Sequence, residues 1–421
     1  MKYEQLYKSV GDYNHYYICR FCFSKQLIPV IDLNYVPLAG GFLTSEEAFQ
    51  SEKFYPLEIS FCKNCYLVQS TNIINKNTLF KNYFYRSSAI KTLTEHFVET
   101  AEEILSLKKD GLIVEIGCND GTLIKHIFKK KRTAVGIDPA TNIVEPLIER
   151  GLPIINDYFS EKIAKEIIKK NGQAEAIFSS NTLAHIENMH DIFKGIKILL
   201  KKNGVLIFEV HYLGNLLNET QYDMIYHEHQ YYYSLLTLQK FLKNYDLEIF
   251  DVKPLSIHAG SMKYYVKNKT NKNYKISLNV TQLLENEKKQ QLDKIETYTD
   301  FNKKINKSKK DLLTLLEKLK KNGKTIAGYG ASGRGTIIMN YCGLDNTYLD
   351  YVIDDSPAKQ NTYTPGNHLK IISSDILKTK NCPDYIVLFA WSFLDEVKKR
   401  NQKYIENGGK FIIPLPQIKI V

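Results

Sequence analysis

The sequence lacks three features, each of which would have indicated a particular class of protein. It has no run of about 18 apolar residues, so no membrane-spanning helix and no membrane partner are expected. Its first thirty residues contain no apolar stretch of the kind a signal peptide needs, which makes a cytoplasmic protein the default expectation. No repeat of fixed period is visible, so a solenoid or a propeller is not expected either.

Arginine is also scarce, and this weakens the most obvious interpretation of the charge. The 57 basic residues outnumber the 46 acidic ones and give a formal net charge of +11. Only six of the 57 basic residues are arginine, and many of the lysines lie in one segment. A nucleic-acid surface would instead interleave basic residues with aromatic ones. A nucleic-acid-binding zinc protein remains an alternative, which steep salt-dependent binding would reveal. No nucleic-acid partner is expected.

What the chain does contain is enough material for two or three domains, since it has 421 residues. Up to about residue 75, cysteines and aromatic residues accompany short apolar pieces broken by proline and glycine, a texture typical of small strands and turns. Beyond that point apolar strands alternate with amphipathic helices, which indicates a parallel sheet covered on both faces. The predicted central strands are 112–117, 133–138, 152–156, 174–180 and 204–210.

The last third of the chain has a different texture. A lysine-rich segment from 266 to 323 carries leucines at helical spacing and predicts a pair of helices with solvated faces. A second alternation then predicts further strands at 324–330, 348–355, 383–391 and 410–416. We therefore expect an α/β protein of three parts: a zinc-binding module over 1–75, a Rossmann-like domain over 76–265, and over 266–421 a helical segment with a smaller Rossmann-like α/β domain.

Four of the seven cysteines form two pairs with metal-ligand spacing. Cys19 and Cys22 enclose two residues, as do Cys62 and Cys65, and such knuckles let all four thiolates reach one tetrahedral ion. Two unrelated thiol pairs or a redox dithiol are the alternatives. Because four thiolates leave no position for water, we predict a structural zinc ion. The remaining cysteines are predicted to be packing residues: Cys118, Cys342 and Cys382.

A glycine loop follows the first central strand. In Val114-Glu-Ile-Gly-Cys-Asn-Asp-Gly121 the two glycines permit a sharp turn and close approach of a ligand to the backbone. The loop lacks the Gly-x-Gly-x-x-Gly spacing of dinucleotide-binding loops. Glu115, two residues before Gly117, and the Gly-x-x-x-Gly interval instead resemble motif I of class I S-adenosylmethionine (SAM) methyltransferases. Asp138 ends the next strand, where a carboxylate can accept hydrogen bonds from both ribose hydroxyls. A packing loop is the alternative interpretation.

The segment Tyr226-His-Glu-His229 follows the fifth central strand and is rich in tyrosine. Histidines at i and i+2 do not share a helical face and do not match the His-Glu-x-x-His spacing of zinc proteases, so a catalytic metal is the weaker interpretation. Imidazole titrates near neutrality and is the usual proton acceptor. A general base suits methylation of carbon, because the carbon must first lose a proton.

Taken together, these motifs resemble the sugar C-methyltransferases that act on nucleotide-linked 4-keto sugars, such as those of tetronitrose and noviose biosynthesis. The resemblance covers nearly the whole chain. Eight pieces carry it in order: the paired Cys-x-x-Cys motifs, counted as one, and residues 83–88, 115–121, 181–185, 226–229, 257–261, 328–335 and 363–366. One departure is Ala259, where glycine is expected.

The resemblance implies a mechanism and its residues. His229 would be the base that takes a proton from a carbon beside the C4 ketone, and the resulting enolate would accept the methyl group of SAM. The other implied catalytic residues are Tyr226, Glu228, His185, Tyr83 and Tyr85. The implied SAM contacts are Glu115, Gly117, Asn119, Gly121, Asp138, Asp157, Tyr158, Phe159 and Asn181. The implied substrate contacts are Arg86, Ser87, His258, Ser261, Lys263, Gly330, Ser332, Arg334 and Tyr363.

The loop Gly328-Tyr-Gly-Ala-Ser-Gly-Arg-Gly335 leaves a further alternative, since it fits the dinucleotide fingerprint after a strand. Read alone it would indicate an NAD-linked oxidoreductase, but no second catalytic set accompanies it. The resemblance favours a loop that binds the diphosphate of the nucleotide sugar. Methylation of oxygen or nitrogen is the nearest rival reaction. A monomer or small homo-oligomer is expected.

Overall fold

The computed structural model describes residues 3–80, 83 and 86–421, and their strands form four sheets. The N-terminal elements are β1 (Tyr7–Val10), β2 (Tyr13–Tyr16), β3 (Leu27–Pro37), β4 (Phe54–Cys62), β5 (Val68–Ser70), β6 (Asn72–Ile74) and α1 (Lys76–Phe80). The central elements are α2 (Lys91–Leu107), β7 (Leu112–Ile116), α3 (Thr122–Lys129), β8 (Ala134–Ile137), α4 (Thr141–Ile148), β9 (Ile154–Ile155), α5 (Glu161–Asn171), β10 (Ala174–Ser180), α6 (Met189–Leu199), β11 (Leu200–His211), α7 (Leu213–Asn218), β12 (Tyr231–Tyr232), α8 (Leu235–Leu242), β13 (Leu247–Leu255) and β14 (Ser261–Asn268). The C-terminal elements are α9 (Leu278–Lys289), α10 (Ile295–Lys321), β15 (Ile326–Tyr329), α11 (Gly333–Cys342), β16 (Val352–Ile353), β17 (Ile371–Ile372), β18 (Tyr385–Leu388), α12 (Leu394–Arg400), α13 (Gln402–Glu406), β19 (Lys410–Ile413) and β20 (Lys419–Ile420). Within the described ranges, none of the helices combines the length and apolarity needed to cross a bilayer.

The N-terminal module consists of two small antiparallel sheets, ordered β1-β2-β6 and β12-β5-β4-β3. Strand β3 lies at the edge of its sheet, which is where a strand tolerates Pro29 and Pro37, because an edge position does not need every N–H to pair. Strand β12 comes from the central part of the chain and places Tyr231 opposite Gln69. The module therefore completes its second sheet with a segment far away in sequence.

The central sheet has the order β13-β14-β11-β10-β7-β8-β9, with β7 to β11 mutually parallel and β13 and β14 antiparallel. All five residues of β7 are buried, as expected for a strand covered by helices on both faces. The chain proceeds from β7 to one side of the sheet and then returns to β10 on the other side. This reversal opens a crevice at the carboxyl ends of the two strands. All five predicted central strands lie in this sheet, so the predicted α/β class is confirmed.

The C-terminal sheet has the order β17-β16-β15-β18-β19-β20 and is parallel except for the final pair. The two predicted helices precede it. Helix α9 packs on the central domain, where both carboxylate oxygens of Glu287 accept the backbone N–H groups of Leu235 and Leu236 at the start of α8. Helix α10 packs on the N-terminal module, with the Tyr298 and Phe61 rings 4.7 Å apart. The helices therefore bind the three parts together.

A buried arginine joins the zinc knuckle to the segment that follows β11. Arg20 is 0% exposed, and its guanidinium donates to the Gln69 and Gln230 side chains and to the Ser70 and Gln230 carbonyls at 2.8–3.1 Å. It also lies 4.2 Å from the centre of the Tyr231 ring. A guanidinium has five N–H donors in a fixed fork, which suits it to connect segments that come from different parts of the chain.

We predict that Arg20→Met destabilises the protein. The change leaves the Gln69, Ser70 and Gln230 acceptors without donors in the interior, so the free energy of unfolding should fall by about 3 kcal/mol or more. Urea unfolding measures it. Arg150→Met, at an exposed arginine, is the matched control and should change the value by less than about 0.5 kcal/mol. Equal effects of the two changes would contradict the structural role of Arg20.

Candidate active site and zinc centre

The four paired cysteines meet at one point. Cys19 Sγ lies 3.5 Å from Cys65 Sγ, Cys22 Sγ lies 3.6 Å from Cys62 Sγ, and all four sulfurs are within 4.8 Å of one another. A tetrahedron with Zn–S bonds of 2.3 Å has edges of about 3.8 Å, so the spacing fits one zinc ion. Four sulfurs fill its coordination sphere. The centre therefore has a structural role and offers no site for catalysis.

A cavity of about 450 Å³ opens at the carboxyl ends of β7, β8 and β10. Asp138 is fixed at its floor, because its two carboxylate oxygens accept the backbone N–H groups of Asn119 and Ala140 at 2.8 and 2.9 Å. Glu115 is only 4% exposed, and its Oε2 has no hydrogen-bond partner among the described residues. Burial raises the pKa of Glu115 well above its usual range. A ligand donor entering the cavity would satisfy this carboxyl group.

Eight of the nine predicted SAM contacts line this one cavity. The lining residues are Glu115, Gly117, Asn119, Asp138, Asp157, Tyr158, Phe159 and Asn181. Gly121 does not line it; this glycine precedes α3 with φ +71°, and a Cβ there would meet Leu147. The lining also contains Glu187 and Asp191 but only two lysines, Lys76 and Lys162, so it suits a cationic ligand better than a polyphosphate.

Several lining residues were not predicted from the sequence. Examples are Lys76, Phe80, Thr182 and Asn188, and Ser87, which was predicted to contact the substrate, also lines the cavity. The Ser87 N–H instead donates to Asn119 Oδ1 at 3.0 Å and so orders the glycine loop. The Tyr158 hydroxyl donates to the Lys76 carbonyl, and the Lys76 ammonium lies 4.1 Å from the centre of the Tyr158 ring. No local pattern marks these residues, because they come from separate segments.

The two predicted catalytic histidines pack side by side: His185 lines the cavity, whereas His229 lies next to it and is not among the lining residues. The His229 and His185 rings are 5.2 Å apart, and the Tyr226 ring is 4.0 Å from His229 on another side. His229 Nδ1 lies 2.7 Å from the Met224 carbonyl oxygen. Since a carbonyl can only accept, Nδ1 carries the proton and Nε2 keeps its lone pair. Burial lowers the pKa of His229 to about 4 and that of His185 well below the usual range, so both are neutral at pH 7.

Glu228 is connected to the cavity by Tyr83, which lines the cavity and forms a hydrogen bond with the Glu228 carboxyl group. The Tyr83 hydroxyl donates to Glu228 Oε2 at 2.9 Å, and burial raises the pKa of Glu228 to about 7. Asn142 holds Tyr83 in place, because its side chain accepts the Tyr83 N–H and donates to the Tyr83 carbonyl. Asn142 had no signal in the sequence. Tyr85, predicted with Tyr83, lies outside the described residues.

The predicted substrate contacts are more scattered. Lys263 is buried in the central domain, where its ammonium lies 2.8 Å from Glu103 and 3.2 Å from Glu209. Arg86 is exposed, and the Tyr363 hydroxyl donates to Glu46 in the N-terminal module. None of these three is among the residues that line the cavity.

His258 and Ser261 lie at the turn between β13 and β14. This turn holds His258 and Ala259 at φ +49° and +59°, a conformation that costs side-chain-bearing residues free energy and that glycine adopts freely. Ala259 is the residue that departs from the family pattern. Ser261 Oγ is buried and has no hydrogen-bond partner among the described residues.

The C-terminal glycine loop owes its glycines to close packing. A Cβ on Gly330 would meet Ala390 Cβ at 2.9 Å, and one on Gly335 would meet the Gly330 carbonyl oxygen at 2.8 Å. Ser332 caps α11 by accepting the Gly335 N–H at 3.2 Å. Arg334 is not free, since its Nε donates to Asp223 Oδ2 at 2.8 Å. The dinucleotide spacing in this loop is accounted for by the fold itself.

Three family models match successive parts of the chain. A model for a proposed zinc binding domain matches residues 19–80, a methyltransferase domain matches residues 85–252, and a C-methyltransferase C-terminal domain matches residues 256–416. The fold and the site define a SAM-dependent methyltransferase with a structural zinc centre. The predicted cofactors, SAM and zinc, are confirmed at this level.

Among curated proteins, the chain is 29% identical over 406 residues to the C-methyltransferase NovU of Streptomyces niveus, covering 96% of each chain. The chain is therefore similar over nearly its whole length to a SAM-dependent C-methyltransferase. It is also 26% identical over 141 residues to an uncharacterized methyltransferase of Schizosaccharomyces pombe, covering 32% of this chain and 52% of that one. A solved structure of magnesium protoporphyrin IX methyltransferase from Synechocystis PCC 6803 with bound SAH is 12% identical, with a TM-score of 0.32, covering 41% of this chain and 81% of that chain.

We predict one zinc ion per chain, lost on Cys62→Ser. Removing one of four thiolates weakens the site, and the N-terminal module, which has little core of its own, should become sensitive to protease. Metal analysis and limited proteolysis measure the two effects. Cys382→Ser, at a half-buried cysteine away from the cluster, should keep both zinc and resistance. A parent protein without zinc would contradict the prediction.

We predict that Gly117→Ala abolishes or strongly weakens SAM binding. A Cβ on Gly117 would lie 1.9 Å from Thr182 Oγ1, so the loop must move away from the cavity. The dissociation constant for SAM, measured by calorimetry, should rise at least about tenfold, or 1.4 kcal/mol. Gly172→Ala is the control, because Gly172 has a similar φ of +81° but nothing within 4 Å of an added Cβ. If Gly117→Ala binds SAM as tightly as the parent protein does, SAM does not bind against this loop.

Proposed function

We propose that the protein transfers a methyl group from SAM to a carbon next to the ketone, C3 or C5, of a nucleotide-linked 4-keto deoxysugar. His229 acts as the general base. The observation that carries this proposal is the hydrogen bond from His229 Nδ1–H to the Met224 carbonyl, which leaves Nε2 as an acceptor on a ring packed next to His185, and His185 lines the cavity. A neutral, oriented imidazole is what abstraction of a proton from carbon requires.

The chemistry then follows from the ketone. The carbonyl at C4 acidifies the hydrogens on its two neighbouring carbons, and His229 Nε2 takes one of them. The electron pair of that C–H bond forms a C=C bond to C4 while the π pair of the C4 carbonyl moves onto its oxygen, giving an enolate, and the proton stays on His229 Nε2 until it is released to water. When bound, SAM supplies an electrophilic methyl group, which the enolate carbon takes as the ketone reforms and S-adenosylhomocysteine is released.

The enolate oxygen needs hydrogen-bond donors placed in advance. His185 is neutral and so carries one ring N–H, and its Nε2 is buried without a partner among the described residues. Glu228 with its pKa of about 7 is partly protonated at neutral pH and shares a hydrogen bond with Tyr83. We therefore assign His185 and the Tyr83–Glu228 pair to stabilise the developing charge.

Carbon is favoured over oxygen or nitrogen as the acceptor by two lines of support. The relative that spans the whole chain is named a C-methyltransferase, as is the matched C-terminal domain. A hydroxyl or an amine would not require a base poised for a carbon acid. For the nucleotide sugar we propose contacts from His258, Ser261 and the backbone of the Gly330–Ser332 loop, because Ser261 Oγ is buried and unpartnered among the described residues.

We predict that His229→Asn strongly slows proton abstraction from the substrate and has little effect on substrate binding. In deuterated water without SAM, exchange at the carbon beside the ketone of a dTDP-linked 4-keto-6-deoxyhexose should fall about 10²- to 10⁴-fold. Mass spectrometry measures the exchange. His227→Asn, at a buried histidine in the same segment, is the control and should exchange at nearly the parent rate. Exchange in His229→Asn within severalfold of the parent would reject the base.

The same assay tests the protonation state of the base. Because burial lowers the pKa of His229 to about 4, the imidazole stays an acceptor as the pH falls through 6.5, the ordinary histidine value. The acid limb of the exchange rate should therefore lie near pH 4. A limb at pH 6.5 would show that the base is not this buried imidazole.

A further inference from the structure

The orientation of His229 depends on a short turn that precedes it. The Met224 carbonyl, which accepts the His229 Nδ1–H at 2.7 Å, belongs to the 3₁₀ turn Tyr222–Met224. The turn is closed by hydrogen bonds from the Met224 and Ile225 N–H groups to the Gln221 and Tyr222 carbonyls, each of 3.0 Å. The position of this turn therefore sets the position of the acceptor that holds the His229 Nδ1–H.

The C-terminal domain holds this turn at its middle residue. Asp223 is 0% exposed, and its Oδ2 accepts Arg334 Nε at 2.8 Å and Trp391 Nε1 at 2.9 Å. Arg334 Nη2 lies 2.7 Å from the same oxygen. The guanidinium also lies 4.5 Å from the centre of the Trp391 ring, and its Nη1 donates to Ser392 Oγ at 3.1 Å. One buried carboxylate oxygen is therefore shared by donors from two segments of the other domain.

The contact continues along α11, whose second residue is Arg334. The Tyr222 ring packs against the Tyr341 ring at 5.5 Å, and the Tyr222 hydroxyl lies 3.6 Å from Cys342 Sγ. The turn thus rests on both ends of α11. A planar guanidinium that binds a carboxylate and stacks on an indole is held more rigidly than an ammonium would be.

We propose that Arg334 and Asp223 form a positioning pair that fixes the Met224 carbonyl and, through it, the tautomer of His229. The inference rests on the proposed function for its catalytic consequence, but its structural part does not depend on the substrate. It also gives Arg334 a different role from the phosphate contact predicted from the loop sequence. Asp223 distinguishes the two roles, because a carboxylate would repel a diphosphate rather than bind it.

The direct test is the protonation of the His229 ring nitrogens, read by NMR of the full chain labelled with ¹⁵N-histidine and assigned through His229→Gln. The parent should show a protonated Nδ1 and an unprotonated Nε2. In Asp223→Asn and in Arg334→Lys, the Nε2 signal should shift toward the protonated position, because the carbonyl no longer selects one tautomer. Arg334→Lys keeps the charge and Asp223→Asn the shape, so both variants are chosen to keep the fold.

Arg400→Lys is the matched control, since this arginine of the same domain pairs with Asp355 and Glu396 at the surface. It should leave the His229 signals unchanged. Unchanged His229 signals in both Asp223→Asn and Arg334→Lys would overturn the inference.

Kinetics with the dTDP-linked 4-keto-6-deoxyhexose supply a second readout. A misplaced base should lower kcat for exchange about 10- to 100-fold in both variants while KM changes little. If Arg334→Lys instead raises KM at unchanged kcat, and Asp223→Asn changes neither constant, Arg334 binds phosphate and the proposed positioning role of the pair is wrong. If His229→Asn keeps its exchange activity, the proposed base fails, whereas the NMR result still decides whether the pair positions this ring.

Discussion

The buried guanidinium of Arg20 needs a hydrogen-bond acceptor for each of its donors, and this need ties the zinc module to the segment that carries His229. Arg20 lies between the cysteines Cys19 and Cys22, and its guanidinium donates hydrogen bonds to β5 and to Gln230. Gln230 follows His229 in the chain, and its side chain donates to the His185 carbonyl at 2.9 Å. The zinc centre, the small sheet and both histidines consequently share one hydrogen-bonded framework. A metal with no free coordination position thus still bears on the geometry of the site.

The electrostatics of the cavity explain why its glycine loop differs from a dinucleotide loop. Glu115 and Asp138 both line the cavity, and α3 begins at Thr122, after the loop. A sulfonium ion with a ribose and an amino acid group is favoured by carboxylates, not by a helix N-terminus. The lining of the cavity, with its several acidic side chains and two lysines, therefore suits a cationic cofactor better than a polyphosphate.

Local patterns in the sequence predicted the features that arise locally. The five parallel strands, the cysteine knuckles and the Glu115–Gly117 loop each depend on residues within a few positions of one another, and the structure has them where they were predicted. The Asn142–Tyr83 contact and the Arg334–Asp223 pair join residues 59 and 111 positions apart and have no such pattern. The dinucleotide-like spacing at 328–335 also has a packing explanation, because Phe389 and Ala390 pack against Gly328, Gly330 and Gly335.

The pairing of β12 with β5 has a consequence for synthesis of the chain on the ribosome. Although the N-terminal module comes first in sequence, its second sheet and the partners of Arg20 are incomplete until residues 230–232 have emerged. More than half of the polypeptide must therefore be made before the first domain can close. Until then its unpaired strand edge is exposed, and early capture of zinc by the four cysteines would be a restraint on the nascent chain.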